Sequence, residues 1–147
     1  MEWSRSWWII RRVFILSNLQ PNLPKNLEEI SSAIPHPEGI TLDEKDNIYV
    51  SSASTGKIFL ISKKDIKTHA NTKGRPLGIA FSKKLNALVA ADAARRSVLR
   101  ISLGNGSISV LCNQYEDIQL NGPSDLIITH SDEIIFTDPI RNPFPNP

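Results

Sequence analysis

Apolar and polar positions alternate in short runs along most of this chain. Three runs open alike, PEGITL from Pro37, PLGIAF from Pro76 and PSDLII from Pro123. Each is a proline, a variable residue, a Gly or Asp, and then an apolar alternation. About 12 residues after each proline comes a second apolar run: IYVSS, ALVAAD and IIFTD. In the first two copies a third run follows, KIFLIS and SVLRIS. A weaker fourth, SISVL, follows the second copy after a Gly-Asn-Gly turn. Runs of period two, rich in β-branched residues and bounded by turn formers, predict β-strands.

The anchor prolines are 39 and 47 residues apart. A repeat of about 40–50 residues holding about four strands has the size of a propeller blade. Helical repeats of similar length, such as HEAT, need longer and less β-branched runs. A β-sandwich would also give many short strands, but would not require one signature at the start of each unit. The expected fold is therefore all-β: a partial β-propeller of about two and a half four-stranded blades. Residues 1–34 read as an N-terminal apolar segment and linker, and 35–147 as the truncated blades. Closed propellers have about four to eight blades. A fragment, a truncated gene product, or a chain that assembles with another copy through its open blade edges is therefore expected.

The N-terminal MEWSRSWWIIRRVFIL is apolar but split by Arg11 and Arg12. A membrane-spanning helix needs about 20 mostly apolar residues. Each central arginine would cost about 2.5–3.5 kcal/mol on insertion scales. A signal peptide would need a clean apolar core and a small-residue cleavage site. An outer strand or a packed helix fits better, with a membrane-surface role for Trp3, Trp7 and Trp8 the lesser alternative. Residues 17–34 carry prolines and asparagines with little periodicity and read as linker.

Composition narrows the partners. Hydrophobic residues make up 40% of the 147, enough for one domain with a core, and the net charge is +2. The basic residues come as scattered pairs (Arg11–Arg12, Lys63–Lys64, Lys83–Lys84, Arg95–Arg96) and not on one face. That argues against nucleic acid. Cys112 is the sole cysteine, so no intrachain disulfide forms; a cytoplasmic location is the expectation. It follows a strand pattern and reads as a buried small apolar residue.

Few side chains carry obvious chemistry. In Leu120–Leu126, LNGPSDL, every polar residue is turn chemistry: Ser124 and Asp125 can bond nearby amides, and Asn121 can cap the loop. Asp92 and Asp138 end second strands and read as turn formers. His36, His69 and His130 lack zinc spacing, although His36, close to Glu38, fits a channel mouth. Ser54-x-x-Lys57 falls in a turn and matches its motif by chance, and no G-x-S-x-G or P-loop is present. Asn105-Gly-Ser107 is a glycosylation sequon, relevant only to a secreted chain.

The stretch ARRSVLRISLGNGSISVLCNQYEDIQLNGPSDLIITHSDEIIFTDP resembles the SMP-30/gluconolactonase/LRE-like family. The resemblance rests on Tyr115-Glu116, Leu120-Asn121, Pro123, Asp125-Leu126 and Phe136-Thr137-Asp138-Pro139. PEGITLDEKDNIYVSS resembles that family's opening blade, and GRPLGIAF also resembles strictosidine-synthase-like propellers. The match covers roughly residues 35–139, about half of a full member.

The resemblance implies a six-bladed propeller that hydrolyses a small lactone with one divalent metal, Ca²⁺ foremost, Zn²⁺ or Mn²⁺ as alternatives. It makes Glu38 a metal ligand. It places Ser124 where the family carries a metal- or substrate-contacting Asn, and Asn121 beside it at the substrate. Gly122 stands where sugar-lactone binders carry Arg. The family's later Asn and Asp have no counterpart here. The repeat agrees with part of this: Glu38, Leu77 and Ser124 share one place after their prolines, and equivalent places in a propeller face the channel at one end. One carboxylate and one hydroxyl fall short of the six to eight oxygens of a Ca²⁺ site. The expectation is thus a lactonase-like chain that is incomplete or inactive alone, or else a non-catalytic propeller piece used for binding and assembly.

Overall fold

A computed structural model describes residues 13–17, 26–62 and 65–140. Every regular element among these is a β-strand. The tryptophans of the N-terminal segment, the Arg11–Arg12 and Lys63–Lys64 pairs and the last seven residues lie outside them. Strands β1 (Val13–Ser17) and β2 (Asn26–Ser31) form an antiparallel pair. Blade 1 is a four-stranded antiparallel sheet of β3 (Pro37–Leu42), β4 (Ile48–Ser52), β5 (Lys57–Ser62) and β6 (Asp65–Asn71). Blade 2 repeats it with β7 (Pro76–Ser82), β8 (Ala87–Asp92), β9 (Ser97–Ser102) and β10 (Ile108–Cys112). A small hairpin, β11 (Gln114–Tyr115) and β12 (Ile118–Gln119), leads to the inner pair of blade 3, β13 (Leu126–Ile128) and β14 (Ile134–Phe136). The chain is a partial β-propeller, with the sequence runs on its strands.

Two expectations change. Strand β2 falls inside the span read as linker, because pairing with β1 supplies order that its irregular periodicity does not announce. Blade 1 also has a fourth strand, β6, from DIKTHAN. It is the outer strand, where charge is tolerated and blunts the open edge.

The turns repeat as faithfully as the strands. Asp43 opens the β3–β4 loop, and its carboxylate accepts the Lys45 and Asn47 N–H groups at 2.8 and 3.0 Å. Ser82 and Thr129 open the matching loops and accept from Leu85 and Glu133, each at 3.1 Å. Each loop then holds one residue in the left-handed region: Asp46, Asn86 and Asp132, with φ of 60°, 44° and 64°. Asp and Asn tolerate this conformation best among non-glycine residues.

Each blade buries its faces only against its neighbours. Tyr49 and Ile58 of blade 1 meet Ile79, Leu88, Ala90 and Ile101 of blade 2. On the far side of blade 2, Val89, Ala91 and Val98 meet Leu126, with Phe136 partly covered. A fully buried Leu or Ile of this kind is worth about 1.5–3 kcal/mol. Val13 and Ile34 cover Val50 and Ile61 on the outer face of blade 1, so β1 and β2 act as a partial neighbour. Cys112 is half-buried at the edge of the blade 2–blade 3 cluster, its thiol 3.4 Å from the Gln114 carbonyl.

The Gly of the first two anchor motifs lets inner strands touch. A Cβ on Gly39 would lie 2.4 Å from the Leu77 carbonyl oxygen. One on Gly78 would lie 2.6 Å from Asp125 Oδ1. The seams are also hydrogen-bonded: Ser51 Oγ donates to Leu77 O at 2.5 Å, and the Gly78 N–H to Ser124 O at 2.8 Å.

Candidate functional site

The anchor prolines start inner strands at one end of the sheets, so the residues after them converge. Glu38, Leu77 and Ser124 line one cleft of about 250 Å³, with Gly39, Gly78 and Asp125 completing its wall. The close seams at Gly39 and Gly78 make the convergence tight. Glu38 is exposed, Ser124 half-buried and Leu77 buried. Asp125 also bonds its own loop, with Oδ1 accepting the Leu126 N–H at 2.9 Å. Its carboxylate, read from sequence as a turn former, therefore belongs to the cleft wall as well.

Glu38 borders a second, adjoining cleft of about 460 Å³, with His36, Ala53, Ser54 and Arg75. His36 is one of its lining residues. Arg75 was not singled out in the sequence, yet it sits immediately before Pro76 as His36 sits before Pro37. The repeat carried that signal.

Asn121 does not line either cleft. Its backbone N–H and side-chain amide both donate to Asp138 Oδ2, at 2.8 and 3.1 Å, while the Gly122 N–H donates to Oδ1 at 2.7 Å. Asp138 thus clamps the loop just before Pro123. Asp92 does the same for blade 2, accepting the Arg75 N–H at 2.8 Å and the Arg95 N–H at 3.0 Å through Oδ1. In blade 1 the smaller Ser52 donates to the Pro35 carbonyl. The two aspartates are loop clamps, as turn chemistry suggested. Asp92 is fully buried, and its Oδ2 has no hydrogen-bond partner among the described residues.

At the opposite end of β3 lies a groove of about 400 Å³ between blades 1 and 2, lined by Asp43, Tyr49, Leu60, Phe81 and Leu103 among others. Partial burial pushes the Asp43 carboxyl up, but hydrogen bonds from Asn47, Lys45 and Tyr49 outweigh it and hold the carboxyl below its usual value. Burial, then the Asp43 charge and hydrogen bond, push Tyr49 up to about 12. The Tyr49 ring meets His69 edge-on at 5.1 Å, and burial lowers the His69 pKa although Nε2 bonds the Ser102 carbonyl at 3.0 Å. These groups stitch the seam: Tyr49 Oη donates to Asp43 within blade 1, and His69 reaches across to blade 2.

The cleft's donors match a metal only in kind. Glu38, Ser124 and Asp125 offer only oxygen, which suits a hard cation in kind. Among the described residues, no three His, Cys, Asp or Glu side chains gather as a metal would need. The donors present do not make a metal centre by themselves.

Known proteins place the fold. The chain superposes on a gluconolactonase from Xanthomonas campestris with a TM-score of 0.70 and 23% identity, covering 78% of this chain and 39% of that one. The fold shared with this chain is the β-propeller. Virginiamycin B lyase from Staphylococcus aureus gives 0.65 at 17% identity, over 87% of this chain and 42% of the lyase. A putative glucose dehydrogenase from Thermus thermophilus gives 0.61 at 15%, over 76% and 39%. The chain therefore spans about two-fifths of the length of these structures. A family model described as SdiA-regulated matches residues 16–56. No curated protein matches the sequence.

Proposed function

We propose that the chain is a gluconolactonase-like propeller carrying part of a site that hydrolyses a small lactone with a divalent cation. The observation behind this is the convergence of Glu38, Ser124 and Asp125 from separate inner strands on one cleft, in a fold shared with a gluconolactonase. In this reading Glu38 supplies one cation ligand and Ser124 faces the lactone. Asn121 shapes the rim from behind through Asp138. The all-oxygen donors favour Ca²⁺, with Zn²⁺ and Mn²⁺ as alternatives. The shortage of ligands supports a second reading, a non-catalytic propeller module for binding or assembly.

Calorimetry with each cation, beside a pH-stat assay on gluconolactone, separates the two. The first reading expects cation-dependent hydrolysis that falls at least about 10- to 100-fold in Glu38→Gln, since losing even a group that only orients a metal ligand costs that much. Ser124→Asn, with longer reach and an amide carbonyl, is expected to tighten the cation. Absence of cation binding in wild type and Ser124→Asn alike, with hydrolysis at background, would sink the lactonase reading and leave the second.

A further inference from the structure

Two half-blades flank the two whole ones. Strands β13 and β14 form an inner pair to which no outer pair is joined among the described residues. Strands β1 and β2 form a pair that covers Val50 of β4 and Ile61 of β5, with no residue of β3 in the cluster. By the blade repeat they correspond to an outer pair, and among the described residues no inner pair lies beside them over β3. Both open places are lined with apolar side chains. On β3, Ile40 and Leu42 are each 52% exposed. On blade 3, the cross-strand pair Ile127 and Ile135 is 59% and 55% exposed, and Ile140 73%.

The repeat says what such rows contact. Ile127–Ile135 occupies the register position of Ala80–Val89 in blade 2 and Thr41–Tyr49 in blade 1. Val89 is buried against blade 3 and Tyr49 against blade 2. Ile40 and Leu42 in turn occupy the positions of Ile79 and Phe81, which pack with Tyr49. One open row is therefore the giving side of the blade-to-blade contact, and the other is its receiving side.

The geometry points to a second copy of this chain as the occupant of both rows. Two copies close head to tail into one ring, and β13–β14 of one copy joins β1–β2 of the other to make a single four-stranded blade. In that blade β14 pairs with β1 antiparallel, as β4 pairs with β5. Ile127 and Ile135 then cover Ile40 and Leu42 of the second copy. Each copy supplies two whole blades and two halves, so a pair supplies six, within the range of closed propellers. The superposition on a solved propeller shows that the chain already has the needed curvature. Closure would also set Glu38 and Asp125 of both copies around one channel, doubling its carboxylates. Ring closure itself does not depend on the lactonase reading.

Sedimentation velocity and light scattering on the full chain test this without any activity assay. A closed particle of twice the 16.4 kDa chain mass is expected, unchanged in size as concentration rises. Ile135→Arg and Ile40→Arg change side chains already half exposed, so each variant is expected to keep its β-sheet circular dichroism. Each contact uses one row of each kind, so either variant alone is expected to be monomeric. Mixing the two variants leaves one intact contact and is expected to restore a one-to-one pair. A monomeric wild type would overturn the proposal and leave the rows to other partners. So would polymers that grow with concentration, a dimer that survives either variant, or a mixture that stays monomeric.

Discussion

Blades 2 and 3 open with the same kind of sequence and fare differently. In blade 2 every residue of β8 is buried, because blade 1 covers one face and blade 3 the other. In blade 3 the matching strand β14 has no fully buried residue, and Ile135 lies open where Val89 is enclosed. The strands, the anchor proline and the loop turn are alike. A blade is a thin sheet with two apolar faces, and neither face is buried by the blade itself. What differs is the neighbour.

The largest test of this contrast is truncation of a core side chain. Leu88→Ala, in the enclosed blade, is expected to lose about 2–5 kcal/mol in denaturant unfolding. Ile135→Ala, measured in the Ile40→Arg background that keeps copies apart, is expected to lose less than about 1 kcal/mol. Similar losses would mean that blade 3 is covered by something else.

The two glycine seams come next. Gly39→Ala and Gly78→Ala are each expected to cost about 1–3 kcal/mol by overpacking. Gly39→Ala should cost more, since its Cβ would strike the Leu77 carbonyl and the Ile79 N, backbone atoms of the enclosed blade 2. The Cβ of Gly78→Ala meets Asp125 on the blade with an open side, which has room to shift. Melting curves that rank the two in reverse would break the contrast.

The clamps give a smaller difference. Asp92→Ala strips two backbone N–H groups of their acceptor and is expected to cost about 1–3 kcal/mol. Asp138→Ala, at a half-buried position, should cost less because water can replace the carboxylate.

The smallest effect is in pH. His69 is lowered from its ordinary value of 6.5 by burial at the blade 1–blade 2 seam. The unfolded chain then takes up its proton first as pH falls. Stability from His69 is complete above pH 6.5 and declines as pH drops from there through the folded pKa. Unfolding titrations should show this slope, and His69→Gln should flatten it. An unchanged slope would remove His69 from the seam's accounting.

Much of this was legible in the sequence. Pro37, Pro76 and Pro123 marked three inner strands, and the all-β repeat followed from period-two runs between turn residues. Asp92 and Asp138 were legible as turn residues because side-chain capping is local. Strand β6 was not, since its mixed charges suit an outer edge and hide the alternation. Strand β2 was not either, since its order comes from pairing with β1. The cleft was half legible: shared repeat places put Glu38 and Ser124 together in expectation, but Asp125 and Arg75 joined their clefts only through the seams at Gly39 and Gly78 and the paired loops.

By itself the sequence determined where this chain extends and where it turns. Those choices depend on backbone preferences and side-chain caps acting over a few residues. Only the tertiary structure decided which faces are buried, that Glu38 and Asp125 share a cleft, and that two apolar rows stay open at opposite flanks. Burial and convergence are properties of neighbouring blades, and no single blade contains the information about what packs against it.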